Sequence, residues 1–443
     1  MQQEQLIELS YHSVLRAHYE ALSDLPGFVL LESTDIQKGR YDICSAYPYE
    51  QVVIQSDTSD LEKELNQLRE KLIPKPSAYS LPFQGGAIGY ITYDLGALLA
   101  GIPLKVNERL SNMPLLNLGF YDWAIISDHW LKKTYLYAAN TQPVTAQHLQ
   151  QIIELWNKPQ SNKSFKLTSA ILQGMSESYY YDSFYRIKES LEKGRSYQVN
   201  FTQAFTVGYE GDAWAAYRNV SQINPVPFAA FLHFNETDIL SFSPERYYLY
   251  EKGRLLTSPI KGTIGRSADL DEDERLKQQL LSCSKNQAEN VMIVDLLRND
   301  LGKIAKTGSV EVTRLCAVES YNAVHHLVSE VRAEVDTNNN PLDIFLSGFP
   351  GGSITGAPKL ESMRIINELE QHGRGVYCGA VVYFSQHGRF DSNIAIRTVT
   401  ARDKTLHFSA GGGVVIDSKA WDEYHECLIK IKAIVNGLQS KNN

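Results

Sequence analysis

Strand-like and helix-like segments alternate along these 443 residues without the regular βαβ rhythm of a doubly wound sheet. Extended apolar or alternating runs occur at Gly27–Leu31, Trp123–Ile126, Tyr135–Ala138, Tyr197–Phe205, Phe228–Phe234, Val376–Phe384, Asn393–Thr400 and Thr405–Ala410. Gly85–Tyr93 reads as a glycine-rich strand packed against another backbone. Apolar spacing predicts helices over 142–157, Ser178–Lys193 (stopped by Gly194), Asp271 to about Leu297, Pro358 to about Gly373, and Trp421–Leu438. Irregular mixing of this kind predicts an α+β fold. The polar stretch Lys158–Lys166 reads as a linker between an N-terminal region, 1–165, and a second region, 175–440, the two interwoven in one large fold.

Charge and cysteine usage narrow the function classes. A formal net charge of −8, with no Lys/Arg block, argues against nucleic acid as the partner. The longest apolar runs fall far short of a membrane span. Met1–Gln5 has no basic segment leading into an apolar core, so no secretory leader is expected. Cys44, Cys283, Cys316, Cys378 and Cys427 are scattered and odd in number, which fits reduced cytoplasmic thiols better than disulfides or zinc. An anionic substrate would therefore have to be met locally, by a few cations, by backbone N–H groups or by a metal.

Several segments could do this. Ser258-Pro259-Ile260-Lys261-Gly262-Thr263 sets a lone lysine beside a glycine, downstream of a Ser243-Pro244-Glu245 turn. Such a lysine is a charge clamp or, once desolvated to the amine, a nucleophile. Phe349–Lys359 brings small and hydroxyl residues to a helix start, a natural anion site, but Ala357-Pro358 stands where a P-loop needs Lys-Ser/Thr. Gly411-Gly412-Gly413 follows a strand and offers bare N–H groups, or is simply a tight turn. Arg397 lies in an alternating apolar strand, where an inward guanidinium is costly unless it meets an anion. Glu423, Glu426 and Lys430 share one helix face, away from the stripe Tyr424, Leu428, Ile431, Val435. That face is a solvated ion-pair face or, with Glu289, a hard-metal site. His325-His326 reads as structural on pattern alone, and Asp295–Gly302 as an ion-pair and cap cluster.

Taken together, Tyr197–Asn200, Ser243–Arg246, Asp295–Gly302, Phe349–Lys359, Tyr377–Ala380 and Gly411–Val415 resemble, in order, the chorismate-utilising enzymes. These are the anthranilate, aminodeoxychorismate, isochorismate and salicylate synthases. The resemblance covers 178–435 strongly and 10–140 more loosely. It implies a two-sheet β-core flanked by helices, with the site between the sheets. It implies Mg²⁺ on Glu289 and Glu426, with Glu423 close by through water. Arg397, Tyr377, the Gly411–Gly413 amides and Lys430 would hold the substrate's carboxylates, with Thr263 beside them. Glu245 would be the general acid, and His326 matches an active-site histidine.

Within that family, water-adding members carry a lysine where this chain has Gln198, and a glutamine cannot serve as that base. Anthranilate-forming members usually carry alanine where this chain has Lys261; lysine resembles the branch that aminates C4 of chorismate. Lys261 is then expected as the nucleophile at C2. With no G-x-C-x-G elbow in the sequence, ammonia is expected from a separate glutamine amidotransferase subunit. Leu30-Leu31-Glu32-Ser33, with Pro225, resembles a tryptophan pocket, expected to be structural. The alternatives are an anthranilate-forming enzyme and a non-catalytic amino-acid-binding regulatory subunit.

Overall fold

The computed structural model describes residues 4–35, 39–320 and 324–440. Met1–Gln3, part of the stretch read for a leader, lie outside them. Among the described residues, thirteen strands form one antiparallel sheet and ten form a second. Helices cover the outer faces of both, so the fold is α+β.

Each sheet is assembled from both halves of the chain. In the larger sheet Val29–Glu32 pairs with Phe228–Phe234 (Ala229 opposite Glu32). In the smaller, Gly86–Ile91 pairs with Ala380–Ser385. An apolar layer that includes Val29, Ile43, Ile88, Tyr90, Ala230 and Val381 joins the two sheets face to face. Outside the larger sheet, Trp214, Tyr217 and Phe231 pack with ring centroids 5.2–5.5 Å apart. Edge-to-face and tilted arrangements at this separation suit the ring quadrupoles. The final helix, Ala420–Gln439, lays Tyr424, Cys427, Ile431 and Ile434 on the same core.

Two crossings between the sheets position the site. The first runs from Thr237–Ser243 in the larger sheet to Arg246–Glu251 in the smaller, through Pro244 and Glu245. The second returns from Phe390–Asn393 to Thr398–Arg402 through 394–397. They are bonded to each other: Ile394 N–H donates to Glu245 O (3.0 Å) and Ser243 Oγ donates to Ile394 O (2.6 Å).

Three expectations are corrected here. The strand expected over Asn393–Thr400 is broken, and Arg397 lies in the break at φ +50°, a left-handed backbone that costs a non-glycine residue energy. The helix expected from Asp271 to Leu297 is two, Leu270–Ser282 and Ser284–Gly302, separated at Cys283 (φ −69°, ψ 103°). No proline or glycine announces that break. Gly411–Gly413 do not follow a strand but lie inside one, Thr405–Val414, opposite Thr202, Phe201 and Asn200.

Candidate active site

Glu245 sits at the first crossing, 5% exposed, its N–H turned onto Ser243 Oγ. Its Oε1 accepts from Ser353 Oγ at 2.7 Å. Lys261, on the strand Ile260–Gly265, donates from Nζ to the carbonyl of the same Ser353 at 3.3 Å. One serine therefore joins the acid and the amine. Burial raises the Glu245 carboxyl above its ordinary value, and Lys261, Ser353, the Ile260 amide and Lys430 pull it back only in part. Burial likewise lowers the Lys261 ammonium; Glu245, Glu289 and Glu426 oppose this, and Lys430 adds to it. Gly262 follows at φ +74°, and a Cβ there would come 2.9 Å from Asn286 Nδ2. A side chain beside Lys261 would thus be both strained and blocked.

Thr263 is exposed, and its Oγ1 lies 2.8 Å from His326 Nδ1. His326 is buried, and burial together with Arg397 drives its pKa down to about 4. It is a neutral imidazole at pH 7.

The expected metal carboxylates come from two helices. Glu423 is buried, accepts from Ser418 Oγ at 2.6 Å, and is raised by burial. Glu426 pairs with Lys430 at 2.6 Å. Burial alone would raise Glu426, but Lys430, Lys285 and Lys261 outweigh it and hold it low. Both carboxylates converge on Gly412, where a Cβ would stand 2.8 Å from Glu423 Oε2 and 3.4 Å from Glu426 Oε1. Glu289, half-buried on Ser284–Gly302, is close enough for its charge to act on Lys261. Among the described residues no three His, Cys, Asp or Glu side chains converge tightly enough to hold an ion alone. An all-oxygen set of this sort still fits Mg²⁺, which takes one or two carboxylates and completes its shell with water and substrate oxygens.

The groups expected to meet an anion are placed as follows. Lys430 Nζ also donates to Gly411 O at 2.8 Å. Thr202 N–H goes to Glu370 Oε1 and Asn200 N–H to Thr355 O, both away from the glycine strand. In an antiparallel ladder this leaves Gly412 in the hydrogen-bonded pair and turns the N–H groups of Gly411 and Gly413 outward. Pairing with the next strand ends at Phe408, so that edge is open. Burial depresses Arg397, and among the described residues no carboxylate pairs with its guanidinium. Tyr377 is buried, its hydroxyl held well above the usual range by desolvation. Gln198 is 2% exposed, with Nε2 covering Gly413 and Oε1 without a partner among the described residues.

A cavity of about 740 Å³ lies beside this cluster. It is lined by Glu32, Ser33, Pro227, Pro244 and Ile260, so it touches the chain neighbours of Glu245 and Lys261 rather than the residues themselves. Of the two residues expected in a tryptophan pocket, Ser33 lines this cavity and Pro225 does not, while Pro227 does. Val226, between the two prolines, is tied to Thr34 through both its N–H and its C=O.

The glycine loop differs from its reading as an anion cradle. Lys359 Nζ donates to Asp300 Oδ2, Gly348 O and Pro350 O, closing the loop on itself. The loop's contribution to the site is Ser353, which sequence reasoning passed over. A serine among glycines carries no local sign that it will meet a glutamate 108 positions away.

The chorismate binding enzyme family matches residues 28–436, and the chain belongs to that family. It is 39% identical to aminodeoxychorismate synthase component 1 of Klebsiella aerogenes, over 96% of each chain. It is equally similar, at 39% over 95% of each chain, to aminodeoxychorismate synthase component 1 of Escherichia coli (strain K12). Among solved structures, anthranilate synthase component I from Streptococcus pneumoniae TIGR4 superposes with a TM-score of 0.80 at 29% identity, covering 89% of this chain and 92% of that one.

Proposed function

We propose that this chain aminates chorismate at C4 with ammonia, forming 4-amino-4-deoxychorismate for 4-aminobenzoate and folate synthesis. The observation that carries the reading is the bridge at Ser353, which sets a buried carboxyl raised in pKa beside a lysine lowered in pKa. The names of the 39%-identical relatives support the same activity.

In this reading neutral Lys261 bonds to C2 while the C4–O bond breaks, and Glu245 gives its proton to the departing hydroxyl, which leaves as water. Ammonia then bonds to C4, and the C2–Nζ bond breaks. The surplus ammonia proton returns to Glu245, so the sum is chorismate plus ammonia giving the 4-amino product plus water. Arg397, Lys430, Tyr377 and the outward N–H groups of Gly411 and Gly413 hold the two substrate carboxylates. Thr263 and His326 wall the site; His326, being neutral, serves as a hydrogen-bonding group and not as a cation. Glu289 and Glu426, with Glu423 close by, would hold Mg²⁺, which when bound would supply positive charge to the anionic substrate.

Ammonia comes from a separate glutamine amidotransferase subunit in this reading, with no nucleophile elbow found in the chain itself. Cytoplasmic residence accords with five free thiols and with no helix of the described residues being long and apolar enough to cross a membrane. The cavity at Ser33 is read as a structural tryptophan site, and tight tryptophan uptake that abolishes turnover in calorimetry and assay would make it regulatory instead.

The deciding experiment is incubation of the purified chain with chorismate, Mg²⁺ and ammonium, with the product identified by mass. A product converted to 4-aminobenzoate by the lyase supports the reading. Anthranilate would support the second reading, favoured by the anthranilate synthase likeness in structure. No consumption of chorismate would leave a non-catalytic subunit.

A further inference from the structure

The strand Gln198–Gly211 has a gap along one edge. On one side it pairs with Thr405–Val414 from Val199 to Gly208. On the other, Gly356–Ala357 covers 198–199, Leu172–Gln173 covers 205–206, and Phe165–Leu167 covers 209–211. Between these partners the Asn200 N–H is met by Thr355 O, but the buried Asn200 C=O and Thr202 N–H have no strand beside them among the described residues. Unpaired buried peptide groups are costly, so something must take the strand's place.

A side-chain pair does so. Glu370 and Arg374 are four residues apart, just past the end of the helix Lys359–Leu369, with side chains 7% and 3% exposed. They form a two-pronged pair, Nε to Oε2 at 2.9 Å and Nη2 to Oε1 at 2.7 Å. Glu370 Oε1 accepts from Thr202 N (3.1 Å) and Thr202 Oγ1 (2.8 Å). Arg374 Nη2 donates to Asn200 O at 2.7 Å, and Nη1 donates to Ile354 O at 3.0 Å. Asn200 Nδ2 donates to the same Ile354 carbonyl at 2.9 Å. The guanidinium is stacked over Tyr93 at 4.5 Å, and the Arg374 and Gly375 amides are anchored by Asp94.

Ile354 is the residue after Ser353, whose hydroxyl and carbonyl hold Glu245 and Lys261. We infer that Arg374, braced by Glu370, is a positioning residue for the reaction: it pins the Ile354 carbonyl to the strand edge and so fixes where Ser353 presents Glu245 and Lys261 to the substrate. Arg374 is not catalytic, since its donors go to Glu370, Asn200 and Ile354. A guanidinium is required because only its planar fork reaches a carboxylate and two carbonyls together. The inference rests on the reading of Glu245 and Lys261 as the reacting groups.

The test compares Arg374→Lys, Ser353→Ala and the double variant, by steady-state kinetics of chorismate consumption at saturating ammonium and Mg²⁺. Arg374→Lys keeps the charge but loses the fork. It should lower kcat at least about tenfold, the worth of one well-made hydrogen bond in the transition state, and leave the chorismate KM within about twofold. Ser353→Ala should show the same split, and the double variant should lose little more than the worse single variant. Losses that multiply in the double variant, a kcat within twofold of wild type in Arg374→Lys, or kcat and KM changing together would overturn the inference. If Arg374→Lys does not fold, Thr202→Val removes one donor to Glu370 and should give the same split at smaller size; an unchanged kcat there overturns the inference equally. Wild-type protein that consumes no chorismate would instead refute the proposed function, a result separate from any of these.

Discussion

Gly412→Ala tests the proposed metal site through a single methyl group. The new Cβ falls 2.8 Å from Glu423 Oε2 and 3.4 Å from Glu426 Oε1, inside ordinary contact. The strand cannot simply recede, because Gly412 is opposite Phe201 in a continuous ladder from Val199 to Gly208. Glu423 must yield, and moving its carboxylate disturbs the bond that its other oxygen accepts from Ser418 at 2.6 Å. A hydrogen bond to a carboxylate is worth about 1.5–3 kcal/mol. At about 1.4 kcal/mol per factor of ten, Mg²⁺ affinity should fall by about 10- to 150-fold. Overpacking adds a stability loss of about 1–3 kcal/mol. Calorimetric titration of the metal-free variant with Mg²⁺, beside the wild type and with folding checked by thermal melting, gives the affinity directly. A folded variant that binds Mg²⁺ as tightly as wild type would show that these carboxylates are not the metal's ligands.

Other outcomes follow from the same geometry. Lys261→Ala should lose most 4-amino product and release some anthranilate, read by chromatography and mass; unchanged rate and product would end the nucleophile role. Glu245→Gln keeps the shape but has no proton to give, so kcat should fall by about 10²–10⁴ with a much smaller change in chorismate KM; a kcat within threefold of wild type would remove Glu245 as the acid. His326 has a folded pKa of about 4, well below the unfolded histidine value. Its neutral form thus contributes stability that is fully present above about pH 6.5 and is lost as pH falls toward 4, amounting to about 3 kcal/mol at pH 4. Denaturant unfolding of His326→Asn should accordingly lose less stability between pH 7 and pH 4 than wild type; parallel curves would contradict the buried neutral imidazole.

Local chemistry made much of this chain readable in advance. Irregular alternation of strand and helix patterns pointed to α+β, and two antiparallel sheets under helices are what the fold contains. Short segments such as Ser243–Arg246 and Phe349–Lys359 pointed to a chorismate-binding enzyme, and the family match spans 28–436. Period-based reading failed where a single residue turns the chain. Cys283 splits a helix without a proline or glycine to mark it, and the left-handed Arg397 interrupts an apolar alternation that reads as one strand.

Sequence alone thus determined the class of fold and the residue types able to meet an anion, because these reside in composition, period and short-range spacing, and the order of its motif segments carried the resemblance to the family. Which groups meet was decided only by tertiary structure. Ser353 joins Glu245 to Lys261 because two sheet crossings and a glycine loop arrive at one point from distant parts of the chain. Gly412 matters because the final helix sets two carboxylates against its missing side chain. Contacts of this kind depend on how separate strands are brought into register, and nothing local to either partner encodes that.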